Sequence, residues 1–214
     1  MSIKNDDKRP ETGWGMPFAA FFNSQIEIEN HARNGRSTKS FLAEGRWQVV
    51  LDKLKANDIV FIQFGHNDES PKKVDRYTTP EQYEANLKRY VSDTRAKKAI
   101  PVLFTPVTRR RFDENEMVRE THKGYSEIVR QLAADLDVHF IDMDTLSRRL
   151  LQGYGVEKSK SLFLQPDPGI HPNYPEGVKD NTHFNEYGAI QMALLVKQEL
   201  KSMSLPLREY FIAD

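Results

Sequence analysis

Hydrophobic and polar positions alternate in blocks along this chain, and the clearest block is Ile59 to Phe64. These six residues are uncharged and mostly β-branched or aromatic, with Ala56-Asn57-Asp58 before them and Gly65 after. The pattern predicts a strand buried on both faces, as in a parallel sheet with helices above and below. Pro101 to Thr105 and Val138 to Met143 read as further short strands. Gln25 to His31 alternates Ile26 and Ile28 with Glu27 and Glu29, which predicts a fourth strand exposed on one side. Helical spacing appears over Trp14–Phe22, Phe41–Leu54, Thr79–Lys97, Lys123–Leu136, Asp144–Gln152 and Asn185–Lys201. Thr79-Pro80-Glu81 is a capped helix start with proline in the first turn. Between Leu164 and Thr182 lies a long irregular segment containing Pro166, Pro168, Pro172 and Pro175. Such segments are usually functional or mobile.

Strands alternating with helices predict one α/β domain over residues 1–214, with a parallel sheet. A chain of 214 residues is long enough to bury a real core. Lys+Arg and Asp+Glu both number 31, with no basic stripe, which argues against nucleic acid as partner. The absence of cysteine excludes disulfides and thiol catalysis. No apolar run reaches the ~18 residues of a membrane span, so no membrane association is expected. No Gly-rich loop follows a strand, which disfavours a dinucleotide-binding domain.

Three polar groupings lie outside the strands: Asn34-Gly35-Arg36-Ser37, Gly65-His66-Asn67-Asp68 and Asp180-Asn181-Thr182-His183. In open α/β sheets, sites form just past the carboxyl ends of strands, where Gly65 to Asp68 falls. An Asp three residues before a His can accept a bond from the ring and fix its tautomer. The other ring nitrogen is then available as a general base. The Asn67 amide and the Gly35 backbone N–H can each donate to a developing oxyanion. Plainer readings exist: Asp180 as a turn cap, His183 as a helix-start histidine, Gly35 as a turn glycine. Ser37 is expected to cap the helix that follows it.

Together, N-G-R-S, then G-H-N-D after a buried strand, then D-N-T-H before the last helix resemble the SGNH (GDSL-type) hydrolases. The rhamnogalacturonan acetylesterase branch is the more similar one, through Arg9-Pro10-Glu11-Thr12-Gly13-Trp14-Gly15, Asn30-His31-Ala32-Arg33 before the N-G-R-S turn, and Lys179 and Phe184 around D-N-T-H. The resemblance implies a flavodoxin-like three-layer α/β/α fold and a serine esterase needing no cofactor and no metal. Its substrate would be acetylated pectic polysaccharide or oligosaccharide. It assigns His183 as general base, Asp180 as its orienting partner, and Gly35 and Asn67 as oxyanion donors. The family's first strand ends in a G-D-S serine nucleophile, and no G-D-S occurs here. The chain is therefore expected to be truncated at its N-terminus, to lack that strand, and to be inactive as it stands. A secreted or periplasmic location is the family's usual one.

Two other functions compete: a non-catalytic carbohydrate-binding pseudoenzyme, and a metal-dependent hydrolase using His66, Asp68, Asp180 and His183. The metal reading is weak, because no ligand pair has the i, i+4 helical spacing of a zinc site. Galacturonate carboxylates would suit Arg36 and His66 as substrate-binding residues. Arg109-Arg110-Arg111 is a second candidate, or a solvated basic loop.

Overall fold

The computed structural model describes residues Met1 to Ile212. Contacts group into two units: Met1–Asn34, Thr108–Arg119 and Leu146–Asp214 form one, and Gly35–Val107 and Glu120–Thr145 the other.

The second unit holds a three-stranded parallel sheet in the order β1 (Ile59–Gln63), β2 (Ile100–Phe104), β3 (His139–Ile141). Ile62 aligns with Leu103, and Leu103 with Phe140, so these three point to one face. That face packs under α1 (Thr38–Ala43), α2 (Arg46–Lys53), α3 (Pro80–Ala96) and α4 (Lys123–Asp135). Phe41, Trp47, Tyr83, Leu87, Tyr90, Val129 and Leu132 fill the core between them. Val102, Phe104 and Ile141, on the opposite face, are also buried. Burial on both faces is why the strands read as continuous apolar runs rather than alternating ones. Each large core side chain contributes about 1.5–3 kcal/mol by leaving water.

The helix expected over Phe41–Leu54 is two helices. Gly45 between them adopts φ 68°, a left-handed conformation that ends α1 and begins α2. α3 begins as expected, with a reciprocal Thr79–Gln82 capping box and Pro80 in the first turn. Ser37 caps α1 in the same way with Ser40.

The first unit contains most of α5 (Met143–Lys158) and all of α6 (Glu186–Ser202). α5 is longer than the predicted Asp144–Gln152 and breaks at Gly155. Trp14–Phe22 is not a helix through its length: Pro17 opens a 3-10 turn, Pro17–Phe21. Proline lacks the N–H that a helix arriving from Trp14 would need. The aromatics still pack together, with the rings of Trp14 and Phe18 edge to face at 5.6 Å. The strand predicted over Gln25–His31 does not form. Glu27 and Glu29 are exposed while Ile26 and Ile28 are half-buried, so the alternation is obeyed, but residues 25–31 pair with no strand. Alternation specifies faces; it does not supply a neighbouring ladder.

The proline-rich segment is not structureless. It folds back on itself through backbone bonds from Asp180 N–H to Leu164 O, Val178 N–H to Pro166 O and Gly169 N–H to Pro175 O. Its far end is pinned by the Asn173 amide on the carbonyls of Asp6 and Arg9, at 2.8 and 3.0 Å, and by the Tyr174 hydroxyl on the Lys8 carbonyl.

Candidate active site

Asp180 and His183 lie at the base of that folded-back segment, in the first unit. The His183 Nδ1 and Asp180 Oδ2 are 2.7 Å apart. Asp180 Oδ1 accepts the backbone N–H groups of Thr182 and His183, at 2.6 and 2.9 Å. The spacing is thus an Asx-type turn whose carboxylate also grips the ring. Burial pushes the Asp180 carboxyl up, but bonds from the His183 ring and from the two N–H groups outweigh it and bring it to about 2. An ionised carboxylate at Nδ1 favours the tautomer that leaves Nε2 bare.

Nε2 faces a group to which the sequence reading gave no role. Glu11 Oε1 lies 3.6 Å from it, on a nearly buried side chain that also pairs with Lys4. Lys4 in turn donates to Asn34 Oδ1 at 3.0 Å. Glu11 lies in the Arg9–Gly15 phrase that carries part of the resemblance, but nothing in that phrase gave it a role at the site.

Gly65 to Asp68 leave the carboxyl end of β1, as expected, in the second unit. Gly65 has φ 131°, and a Cβ there would lie 2.9 Å from Pro106 Cγ, so the turn requires glycine. Asp68 is fully buried. Its Oδ1 accepts from the Thr38 N–H at 2.9 Å, the Thr38 hydroxyl at 2.5 Å and the Thr78 hydroxyl at 3.2 Å. Its Oδ2 accepts the Gly65 N–H at 3.1 Å. Burial raises this carboxyl to about 6 against the pull of those donors. Asp68 is therefore a tie between the G-H-N-D turn and the start of α1.

The Asn67 amide donates to the Arg36 carbonyl at 3.2 Å. That bond joins Asn67 to the turn carrying Gly35, itself at φ 75°. A side-chain amide carries two N–H donors, so one remains for another acceptor. Arg36 Nε reaches both Glu44 oxygens, at 3.0 and 3.1 Å, leaving its guanidinium partly exposed. The His66 ring meets the buried His122 ring at 4.3 Å, and His122 Nδ1 is 2.9 Å from Glu69 Oε2.

So His183 joins Asp180 in one unit, and Asn67 joins the Gly35–Arg36 turn in the other. Arg110 departs from expectation: it is buried rather than offered to a substrate, with its N–H groups on Ser159, Asn181 and Val156. Among the described residues, no cluster of three or more His, Asp or Glu is placed to hold a metal ion.

The model of the GDSL-like lipase/acylhydrolase family matches residues 4–188. The chain belongs to this family. Its members include relatives of high similarity: the rhamnogalacturonan acetylesterase RhgT of Bacillus subtilis is 41% identical over 95% of this chain and 87% of its own length. The crystal structure of YxiM from Bacillus subtilis superposes with TM-score 0.81 at 23% identity, over 96% of this chain and 54% of that one. An acetylxylan esterase, Axe2 from Geobacillus stearothermophilus, superposes at 0.62 and 20% identity, over 88% of this chain and 81% of that one. At those identities the two structures speak for the fold alone, and it is the α/β, parallel-sheet fold expected of an SGNH hydrolase.

Proposed function

We propose that this chain carries the base and the oxyanion donors of a serine acetylesterase acting on acetylated pectic polysaccharide. The observation that carries the reading is the 2.7 Å contact of His183 Nδ1 with an ionised Asp180, which leaves Nε2 to take a proton. The 41% identity to RhgT, a rhamnogalacturonan acetylesterase, supports the substrate class.

In this reading a serine hydroxyl loses its proton to His183 Nε2 as its oxygen attacks the acetyl carbonyl. The Gly35 N–H and the remaining Asn67 N–H receive the oxyanion. His183 then returns the proton to the departing sugar oxygen. Water, activated by the same nitrogen, releases acetate from the acyl-serine. Asp180 stabilises the imidazolium without taking its proton.

The 214 residues are proposed to lack the nucleophile. No Gly-Asp-Ser occurs in them, and Ser37 is fully buried with its hydroxyl bonded to Ser40. The 214-residue chain is therefore proposed to be inactive by itself. Arg36 and His66 are proposed to contact uronate groups of the polymer, with Glu44 holding the arginine in place.

The substrate class is tested by fusing a strand segment ending in Gly-Asp-Ser ahead of Met1 and comparing acetate release from acetylated rhamnogalacturonan, acetylxylan and a neutral aryl acetate. Faster release from the pectic polymer is expected. In Arg36→Ala, that rate should fall by about tenfold while the aryl acetate is spared, because a carboxylate contact adds binding only where a carboxylate exists. Equal losses on both would assign Arg36 to shaping the Gly35 turn. Retention of the polymer without acetate release would favour a carbohydrate-binding pseudoenzyme.

A further inference from the structure

The loop that presents Asp180 and His183 rests on a residue to which the reaction above gives no part. Arg110 is 9% exposed, and its donors converge on Asn181, the residue next to Asp180. The Arg110 main-chain N–H donates to the Asn181 carbonyl at 2.8 Å, and Nη1 donates to Asn181 Oδ1 at 2.9 Å. Nε donates to Ser159 Oγ at 2.9 Å, and Nη2 to the Val156 carbonyl. The guanidinium also lies over the Phe112 ring, 5.6 Å from its centre. Asn181 Oδ1 accepts a second bond, from the Gln165 amide at 2.7 Å.

The consequence runs through one peptide plane. The Asn181 carbonyl and the Thr182 N–H are the two ends of the same planar unit, and they point in opposite directions. The Arg110 main-chain N–H holds the carbonyl end, and the guanidinium fixes that main chain against the loop through Ser159, Val156 and the Asn181 side chain. The N–H end donates to Asp180 Oδ1 at 2.6 Å, and Asp180 Oδ2 grips the His183 ring. Rotation of that plane would withdraw a donor from the carboxylate and release the ring. The Nη1 bond to the Asn181 side chain fixes the same residue from its other side. A guanidinium suits this because its donors lie in a rigid plane, whereas a lysine offers one mobile point charge.

We propose that Arg110 is a positioning residue: through Asn181 it sets the orientation of the Asp180 carboxylate and with it the tautomer of His183. Its effect on catalysis rests on the function proposed above; its effect on the ring does not.

The ring can be read directly in the 214-residue protein by nitrogen-15 NMR, whose histidine shifts distinguish the two neutral tautomers. The native protein is expected to hold the neutral His183 ring in the Nδ1–H form. Arg110→Ala and Arg110→Lys should lose this single-tautomer pattern and give averaged ring-nitrogen shifts, with thermal unfolding still cooperative. Where Arg110→Ala does not fold, Asn181→Ala, at the exposed end of the contact, carries the test with the same expected loss. A folded variant of either residue that keeps the native tautomer would overturn the proposal. In the Gly-Asp-Ser fusion, Arg110→Lys should lower kcat about tenfold with KM little changed, because the defect concerns proton transfer rather than binding. Tautomer loss in a protein that no fusion makes active would leave the positioning role standing and sink the esterase reading. Acetate release with a tautomer indifferent to both substitutions would do the reverse.

Discussion

Asp180 and Asp68 each close a polar motif of this chain, and their surroundings drive them in opposite directions. Asp180 is half-buried beside a ring that can carry positive charge, and its carboxyl is pulled down to about 2. Asp68 is sealed among hydroxyls and backbone N–H groups without a cation, and burial pushes it up to about 6. The same side chain thus serves one motif as the partner of a histidine ring and the other as a structural tie. Motif spacing alone does not distinguish these roles; burial and the charge of the partner do.

The largest effect that should separate the two is on catalysis. In the Gly-Asp-Ser fusion, His183→Ala should lower kcat/KM by on the order of a thousandfold or more with the melting temperature nearly unchanged. Asp68→Ala should instead appear in unfolding. It strands the Thr38 and Gly65 N–H groups and the Thr38 hydroxyl, so chemical denaturation should show a loss of about 3 kcal/mol. A large stability loss in His183→Ala, or none in Asp68→Ala, would break the comparison.

Stability as a function of pH sharpens it. Asp180 is depressed in the fold, so its contribution is complete above its ordinary value of 3.8 and is lost as pH falls toward about 2. Asp68 is raised, so its contribution is complete below 3.8 and is lost as pH climbs toward about 6. Raising this buried carboxyl from 3.8 to about 6 corresponds to on the order of 3 kcal/mol. Melting curves from pH 2 to 7 should lose the acid slope in Asp180→Asn and the pH 4–6 slope in Asp68→Asn. The smallest expected effect is that of Ser37→Ala, a loss of about 1 kcal/mol from the α1 cap with no change in ester hydrolysis in the fusion.

Much of this was legible because it is local. Strands β1 and β2, the caps at Ser37 and Thr79, and the Asp180–His183 contact all follow from residues a few positions apart. What the sequence hid depends on distant partners. Ile26 and Ile28 alternate like a strand, yet no neighbouring strand pairs with them. Arg110 reads as one of three solvated arginines, and only the return of the chain at Ser159 and Asn181 buries it. Glu11 belongs to the Arg9–Gly15 phrase without a role of its own there, and acquires meaning from its place 3.6 Å from His183. The helix break at Gly45 was the exception: its signal is local, but glycine within an apolar helical period is also tolerated.

The central proposal is that His183 acts as the base, Gly35 and Asn67 as oxyanion donors, and that the 214 residues lack the nucleophile. Acetate release from acetylated rhamnogalacturonan tests it most directly, measured for the 214-residue chain, for the chain fused behind a Gly-Asp-Ser segment, and for that fusion with the serine changed to alanine. The account predicts release from the second protein alone. Full release from the 214-residue chain, abolished by Ser37→Ala, would contradict it.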